Sequence, residues 1–303
     1  MIRPVIAALV AILASAAHAR TDLPLRPDRH VSFDTREGTW MSLDASSDGK
    51  TLLFDILGHL YLAPSAGGAA KPLDAGMSFD TQATFSPDGR RIAVVSDRSG
   101  ADNVWMMDAE GAHPRQISRA DDEAPLVSPA WSPAGDAVFV SRFRADLQSY
   151  ELWRFDVSGK SQLIVPVRDR PGAPRAEWRS TLGAVVSPDG RYLYAARHLG
   201  GVSLDDLDEW TIIRRDLVSG EEVTVAARPE GPRKALDPGA AFRPALSPDG
   251  RTLAYADRVE NQTELRLRDL VTGADRRIAF PIAHDQVQAL AWQDLVPRYA
   301  FTP

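Results

Sequence analysis

Apolar and polar residues alternate along several short stretches of this chain, and each stretch follows a turn that ends in glycine. The five turn glycines are Gly49, Gly89, Gly135, Gly190 and Gly250. After Gly89, apolar residues stand at Ile92 and Val94, two positions apart. The same spacing follows the other glycines, at Leu52/Phe54, Val138/Val140, Leu193/Ala195 and Leu253/Tyr255. Because the side chains of a strand alternate between its two faces, this spacing predicts a β-strand after each turn.

The turns themselves share a four-residue phrase. It reads S-P-D-G at Ser86–Gly89, Ser187–Gly190 and Ser247–Gly250, S-S-D-G at Ser46–Gly49 and S-P-A-G at Ser132–Gly135. Proline presets φ for a turn, Ser and Asp bond to nearby backbone N–H groups, and glycine tolerates positive φ. Since Ser47 replaces the proline and Ala134 the aspartate, neither side chain is indispensable. The phrase therefore predicts a structural turn between two strands rather than a ligand-binding motif.

A second phrase follows the first in most units, as a short strand that runs into Asp and then Gly. Examples are "VWMMDAEG", "LWRFDVSG", "IIRRDLVSG" and "LRLRDLVTG", and "LYLAPSAGG" is a looser case. One more short strand follows each of these phrases, and another precedes each first turn. Every unit thus contains four short strands joined by tight turns.

Units of this kind are typical of the blades of a β-propeller, which stack face to face around a central channel. The predicted fold is all-β, with five complete blades at 38–76, 79–118, 127–166, 182–227 and 241–280. A β-sandwich is the alternative, but it does not require one turn phrase to recur at every fourth strand. Trp105, Trp153 and Trp210 recur in the third strands of successive blades, which predicts that they pack between blades.

Two segments outside the five blades bear on how the ring closes. "RYAFTP" at the end of the chain aligns with "RPALSP" and "ATFSP", so Phe301 matches Leu246 and Phe85. This match predicts that a sixth blade begins there, and the chain stops where D-G would follow. "VSFDT" (Val31–Thr35) is predicted as an extra strand lent to another blade. The ring is expected to be open and truncated; a five-bladed ring patched by both segments is the alternative.

The first residues have the features of a secretory signal. Arg3 precedes an apolar run from Val5 to Ala17, and Ala17-His18-Ala19 resembles a cleavage box of small residues. The run is shorter than the ~20 residues that a membrane-spanning helix needs, so a cleaved signal at 1–19 is favoured over an anchor. Residues 20–37 would form an N-terminal segment before the propeller at 38–303. The sequence predicts an exported, periplasmic protein with no membrane span after cleavage.

Charge and composition exclude several classes of function. The chain of 303 residues has a formal net charge of −6 and no basic run, which argues against a nucleic-acid partner. It has no cysteine, so thiol chemistry and disulfides are unavailable. The histidines of the predicted mature chain stand singly, without H-x-H or H-E-x-x-H, and "GMSFD" lacks the second glycine of G-x-S-x-G. We predict no catalytic set, no metal centre and no cofactor.

Carboxylates offer one candidate binding site. Asp80, Asp122, Glu123 and Asp285 precede the innermost strands of their blades. They could gather at the mouth of the channel, where a ring of carboxylates would hold a cation or a basic peptide. The alternative is ordinary solvated charge on loops.

The repeats resemble those of the TolB-like propeller family, whose blades carry S-P-D-G followed by an "SDR-G--N-W--D--G--P--L" pattern. Gly89–Ile117 fits that pattern, and the resemblance covers most of 38–280. Within the family, Glu37–Tyr61, Gly76–Gly89 and Val296–Pro303 are similar to the propeller part of large exported amidohydrolases. In those proteins a metal-dependent barrel domain follows the propeller. TolB itself has a further domain ahead of its propeller, for which this chain has little room.

The sequence therefore leaves three candidate functions. The chain is predicted to be the non-catalytic, N-terminal part of a periplasmic amidohydrolase-type protein, where it gates or positions substrate. One alternative is a stand-alone TolB-like propeller that binds a protein or peptide. The other is the propeller of a prolyl-oligopeptidase-type serine peptidase.

Overall fold

The computed structural model describes residues 29, 31–32, 41–73, 76–119, 124–201, 210–227, 241–259, 262–283 and 298–302. They form five four-stranded antiparallel sheets, and in each sheet the strands follow one another in chain order. This arrangement confirms the predicted β-propeller of five blades. In the described ranges, helical structure is limited to a 3-10 turn at Arg175–Glu177, and no helix is long and apolar enough to cross a membrane.

The first two blades are built from short strands. In each blade the strands are numbered in order from the channel to the outer edge. Blade 1 comprises β1 (Leu43–Ala45), β2 (Thr51–Ile56), β3 (His59–Pro64) and β4 (Lys71–Pro72). Blade 2 comprises β5 (Asp80–Phe85), β6 (Arg91–Ser96), β7 (Asn103–Asp108) and β8 (Arg115–Gln116). The first strand of each blade is its inner strand, and the last one is its exposed outer edge.

The remaining blades have longer strands. Blade 3 comprises β9 (Leu126–Trp131), β10 (Ala137–Arg144), β11 (Ser149–Asp156) and β12 (Ser161–Val165). Blade 4 comprises β13 (Arg179–Val186), β14 (Tyr192–Leu199), β15 (Thr211–Asp216) and β16 (Glu222–Ala226). Blade 5 comprises β17 (Ala241–Leu246), β18 (Thr252–Val259), β19 (Gln262–Asp269) and β20 (Asp275–Ala283).

The core consists of layers between neighbouring blades. Alternating residues of the second strands point to opposite neighbours: Val94 packs toward blade 1 with Leu53, whereas Ala93 packs toward blade 3 with Val138. Similar buried layers join blade 3 to blade 4 and blade 4 to blade 5. The three predicted tryptophans, Trp105, Trp153 and Trp210, contact these layers, which confirms their packing role. Since one blade cannot cover its own faces, this packing explains why the unit recurs.

The S-P-D-G phrase forms the predicted turn between the first and second strands. In blade 2, the Ser86 hydroxyl donates to Asp88 Oδ1 at 2.6 Å, and the same oxygen accepts the Arg90 N–H at 3.1 Å. These bonds lower the pKa of Asp88. In blade 3, where Ala134 replaces the aspartate, Asp136 accepts the Ser132 hydroxyl at 2.5 Å instead. A carboxylate two residues further along the same turn thus compensates for the missing one, so the phrase acts as a scaffold joint.

Two glycines of blade 2 are required for different reasons: Gly111 in the second turn phrase, and Gly100 in the turn between β6 and β7. Gly111 has φ +84°, and a Cβ there would lie 2.6 Å from the carbonyl oxygen of Leu73 in blade 1. Gly100 has φ +99°, but nothing lies within 4 Å of its Cβ position. We expect Gly100→Ala to cost about 1–2 kcal/mol from backbone strain alone, and Gly111→Ala to cost more. Urea unfolding of both variants checks this order; equal losses would contradict the backbone clash.

Candidate functional site

The inner strands of four blades share an irregularity that shapes the central channel. Each has a register shift against its second strand, at a residue in the left-handed region. These residues are Gln82 (φ 58°), Ser128 (φ 57°), Gly183 (φ 58°) and Arg243 (φ 52°). They occupy the same place in the repeat, ahead of the turn phrase. A bulge of this kind bends the strand and re-aims its side chains.

Side chains from neighbouring blades satisfy the N–H groups that the bulges release. Asp55 of blade 1 accepts the Gln82 N–H at 2.8 Å, and the hydroxyl of Ser141 in blade 3 accepts the Gly183 N–H at 3.0 Å. Ser128 instead donates its N–H to Oε1 of Gln82 at 2.6 Å. Because a buried N–H without a partner is costly, these bonds tie the inner strands of blades 2, 3 and 4 to the blade before each of them.

The segment Arg298–Thr302, called the C-terminal segment below, lies against the inner strands. It borders a cavity of about 270 Å³ that residues from all five inner strands also line. Its hydrogen bonds reach two blades that are far apart in the chain: Arg298 donates to Gln82 Oε1 of blade 2 at 2.8 Å, and the Tyr299 hydroxyl donates to the Arg243 carbonyl of blade 5. The C-terminal segment therefore links blade 5 to blade 2.

Tyr299 packs as the inner-strand residues of complete blades do. Ala83, just after the bulge of blade 2, belongs to the buried layer with Leu53 of blade 1. Tyr299 aligns with Ala83 in the repeat, and it packs against the layer that includes Phe242 and Ala256 of blade 5. The C-terminal segment thus lies beside blade 5 in the way that an inner strand lies beside the blade before it.

Charged groups concentrate where this segment meets the channel. Burial lowers the pKa of Arg298 to about 10, and the carboxylates of Asp55 and Asp44 oppose that shift. Burial and the charge of Arg298 lower the pKa of Arg243 well below its usual range. Two guanidinium groups thus share one low-dielectric region, which is unfavourable unless anionic groups lie close by.

Asp44 supplies one of those carboxylates. Its Oδ2 accepts the Phe85 N–H at 2.7 Å and the Thr84 hydroxyl at 2.8 Å, and its Oδ1 accepts the Ala45 N–H at 2.9 Å. Burial raises the pKa of Asp44, whereas these hydrogen bonds and the charge of Arg298 lower it. Asp44 therefore joins the inner strands of blades 1 and 2 and also contributes negative charge to the channel.

The structure describes one of the four carboxylates that were predicted to form a ring. Asp80 begins β5, is fully buried, and accepts a hydrogen bond from Arg98, which is itself 7% exposed. A cation or basic peptide would have to displace Arg98 to reach this carboxylate. Asp122, Glu123 and Asp285 lie outside the described residues, so the ring stays a prediction. The predicted signal at 1–19 also lies outside them, as does most of Val31–Thr35.

Within the described ranges, no group of three or more histidine, aspartate or glutamate side chains could hold a metal ion. Among the single histidines, His59 lies in β3 and His113 bonds to Asp108 on the surface, at 2.7 Å.

Sequence reasoning missed the channel residues Asp44, Asp55, Gln82, Arg243 and Arg298. The alignment of "RYAFTP" with "RPALSP" already places Arg298 and Arg243 at the same repeat position. Inner-strand residues at that position converge on the channel in any propeller. For Gln82, Arg243 and Arg298, the missed signal was thus a repeat position four residues before the turn serine or threonine, where the residue type varies from blade to blade. Asp44 and Asp55 stand at other positions of the repeat.

No protein-family model matches the chain. Two curated relatives match one part of it. "Uncharacterized peptidase YuxL" of Bacillus subtilis is 31% identical over 84 residues, which are 27% of this chain and 12% of that protein. "Tol-Pal system protein TolB" of Wolinella succinogenes is 35% identical over 80 residues, which are 25% of this chain and 19% of that protein. The match thus spans less than a fifth of either relative.

Solved structures are similar over most of the chain. A putative TolB from Agrobacterium tumefaciens has a TM-score of 0.60 at 19% identity, covering 78% of this chain and 79% of that one. TolB from Acinetobacter baumannii has a TM-score of 0.60 at 16% sequence identity, and the match covers 81% of this chain and 56% of that one. An oligogalacturonate lyase in complex with manganese has a TM-score of 0.52 at 16% sequence identity, and the match covers 78% of this chain and 64% of that one. These likenesses establish the TolB-like β-propeller fold.

Proposed function

We propose that this chain is an exported propeller module without a catalytic centre of its own. In this proposal it forms the N-terminal part of a periplasmic amidohydrolase-type protein and positions or gates substrate for a hydrolase unit that follows. The propeller then acts by binding, through its channel and the loops at the channel mouth.

The observation that carries the proposal is the placement of the C-terminal segment. Tyr299 packs on blade 5 as Ala83 packs on blade 1, which is the position of the inner strand of a further blade. Four buried layers join the five described blades. On the opposite side of blade 1, Leu52, Phe54 and Tyr61 are only partly buried. A further blade beginning at Arg298 would cover apolar surface there, so this geometry supports a propeller that continues.

The hydrolase part of the proposal comes from sequence. Glu37–Tyr61, Gly76–Gly89 and Val296–Pro303 resemble the propeller part of exported amidohydrolases. The apolar run after Arg3 supports export, because its length suits a cleaved signal better than a membrane anchor.

Two other functions have an observation in their favour. The putative TolB structure, of which the chain covers 79%, supports a stand-alone propeller that binds a protein or peptide. The match to "Uncharacterized peptidase YuxL" supports the propeller of a serine peptidase. All three functions assign binding rather than chemistry to the residues described here.

The coding sequence downstream of Pro303 tests the proposal. We expect the reading frame to continue with D-G, further blade repeats and then an H-x-H motif. A G-x-S-x-G motif with later Asp and His would support the peptidase instead, and an immediate stop would support the stand-alone propeller. Either of these outcomes would overturn the amidohydrolase assignment.

Activity measurements on the chain alone test the other half of the proposal. We expect no hydrolysis of amide or ester substrates by the purified protein, with or without added Zn²⁺, since the sequence lacks G-x-S-x-G and the described residues include no group of three or more side chains that could hold a metal ion. Turnover that depends on metal and disappears with a chelator would contradict a purely binding module.

A further inference from the structure

A groove of about 580 Å³ opens at the junction of blades 3 and 4, beside their first turn phrases. Blade 3 contributes residues of its turn and of β10, β11 and β12, and blade 4 contributes its turn and the residue that follows β15. The side chains that line the groove include Phe139, Ile164, Leu217, Asp136, Arg154 and Asp189. The groove has no lining residue in common with the cavity beside the C-terminal segment, so it is a separate surface.

Successive turns stand apart at this junction. At other junctions, the turn glycine of one blade approaches the second residue of the turn before it. A Cβ at Gly250 of blade 5 would lie 2.9 Å from Pro188 of blade 4. One at Gly135 of blade 3 would lie 3.8 Å from Pro87 of blade 2. At Gly190 of blade 4, none of the described atoms lies within 4 Å of the corresponding position, so the turns of blades 3 and 4 leave a gap.

At the junction of blades 2 and 3, an arginine of the chain itself occupies the corresponding space. Arg91 follows the turn of blade 2, and its guanidinium group donates to the Gly135 carbonyl at 2.7 Å. The same group lies 5.0 Å from the ring centre of Trp131, and its Nη1 lies 3.7 Å from the sulfur of Met106. The repeat thus contains a place where a guanidinium group reaches the turn of the next blade.

The junction of blades 3 and 4 has smaller side chains at the matching positions. Ala137, two residues after the turn glycine of blade 3, matches Arg91 of blade 2. Val186, just before the turn serine of blade 4, matches Trp131 of blade 3. Phe139 packs in the layer between blades 3 and 4, and Ala137 lies on the same face of β10. The groove therefore lies where an arginine and a tryptophan stand one junction earlier.

The charged groups at the groove favour a cationic ligand. Asp189 accepts the hydrogen bonds of its own turn through one oxygen, Oδ1, and it is exposed. Asp136 pairs with Arg154 at 2.9 Å, and 57% of the Asp136 side chain remains exposed. Arg191, which follows the turn of blade 4, pairs with Asp216 at 3.0 Å. These three carboxylates outnumber the two guanidinium groups, so the groove has a net negative charge.

We propose that this groove docks a partner peptide through an arginine side chain and an apolar residue beside it. The guanidinium group of the partner donates to the Gly190 carbonyl and pairs with Asp189, as the Arg91 group donates to the turn of blade 3. The groove is larger than one arginine side chain, and Ile164 and Leu217 contact the apolar residue. The proposal goes beyond the function proposed above, because it concerns another surface and holds whether or not a hydrolase unit follows.

Isothermal titration calorimetry of the full chain with three acetylated, amidated dipeptides tests the groove. The probes are Leu-Arg, Leu-citrulline and Gly-Arg; citrulline has the shape of arginine without its charge. We expect Leu-Arg to bind saturably and Leu-citrulline to bind about tenfold more weakly, because hydrogen bonds between charged groups are roughly twice as strong as neutral ones. Gly-Arg should bind about fivefold more weakly than Leu-Arg, since it buries less apolar surface.

Two results of these titrations would count against the proposal. Leu-Arg that does not saturate, or that binds no better than Leu-citrulline, would overturn the guanidinium site. Gly-Arg that binds as tightly as Leu-Arg would overturn the apolar half of the proposal.

Arg154→Met is expected to raise the affinity for Leu-Arg by about threefold or more. The substitution removes the cation that pairs with Asp136, so this carboxylate becomes available to the ligand. It also introduces the residue type that Met106 provides beside Arg91, at the matching position of blade 2. Binding of the neutral Leu-citrulline should change little. Loss of the fold cannot produce such a gain, and unchanged or weaker binding of Leu-Arg would contradict the site.

Asp189→Asn, with Asp249→Asn as its matched control, tests the carboxylate of the blade 4 turn. Both aspartates accept a serine hydroxyl and an arginine N–H in the same turn, but Asp249 lies in blade 5, away from the groove. We expect Asp189→Asn to weaken binding of Leu-Arg by about threefold to fivefold and Asp249→Asn to leave it unchanged. Urea unfolding should show equal stability losses for the two variants. Equal affinity of both variants for Leu-Arg would overturn the assignment of the groove.

Discussion

Replacing Arg98 by methionine is expected to destabilise the propeller by about 3–5 kcal/mol, because it leaves a buried carboxylate without its cation. Asp80 is fully buried in β5, and Arg98 is 7% exposed. Arg98 also donates to the hydroxyls of Ser96 at 2.9 Å and of Ser78 at 3.4 Å, and its guanidinium lies 5.3 Å from the ring centre of Trp105. Urea unfolding at neutral pH measures the loss.

The charge pair itself is tested by a second substitution. In Asp80→Asn/Arg98→Met the buried charge is gone, so much of the lost stability should return. Arg154→Met, which breaks the exposed pair with Asp136 at 2.9 Å, is the control and should cost less than about 1 kcal/mol. If Arg98→Met proved as mild as Arg154→Met, the buried pair would not support blade 2. A stable Arg98→Met protein that gains affinity for cations would instead favour the predicted carboxylate ring.

Replacing Tyr299 by alanine is expected to cost about 3 kcal/mol, since it removes a large side chain from the layer on blade 5. The ring packs beside Phe242 and Ala256, and the hydroxyl donates to the Arg243 carbonyl. The substitution also weakens the link from blade 5 to blade 2 that the C-terminal segment provides. Thermal and urea unfolding of the variant measure the effect.

Conservative substitution separates packing from hydrogen bonding at this position. Tyr299→Phe keeps the ring and loses the hydroxyl, so it should cost about 1 kcal/mol. Thr302→Ala, at an exposed end of the C-terminal segment, should be close to neutral. A Tyr299→Ala protein as stable as wild type would show that the segment contributes little to the propeller. That result would remove the observation on which the proposal of a continuing propeller depends.

Local features explain why the architecture could be predicted. The Ser86–Gly89 turn closes through bonds between residues at most five apart, and the strand that follows it is only six residues long. Trp105 and Trp153 stand at the same position of successive blades because each blade packs against its neighbour in the same way. Both features depend on neighbours along the chain, and so they can be recognised without any knowledge of distant contacts.

The channel could not be predicted in the same way. Arg298 and Gln82 are 216 residues apart, yet they form a hydrogen bond across the channel. Asp55 accepts the Gln82 N–H only because a bulge in β5 turns that group toward blade 1. Bulges and register shifts depend on how one blade meets the next, and the residue types alone do not reveal them.

Alternation and turn chemistry within each unit were enough to predict the five four-stranded blades, their turns and the aromatic positions between them. The burial of Asp80 with Arg98, and the placement of Arg243 and Arg298 at one cavity, became visible in the folded chain alone. The physical reason is that stacking blades around an axis brings together inner-strand residues that are far apart in the chain. Their charges, burial and ligand chemistry exist only once the blades are in place.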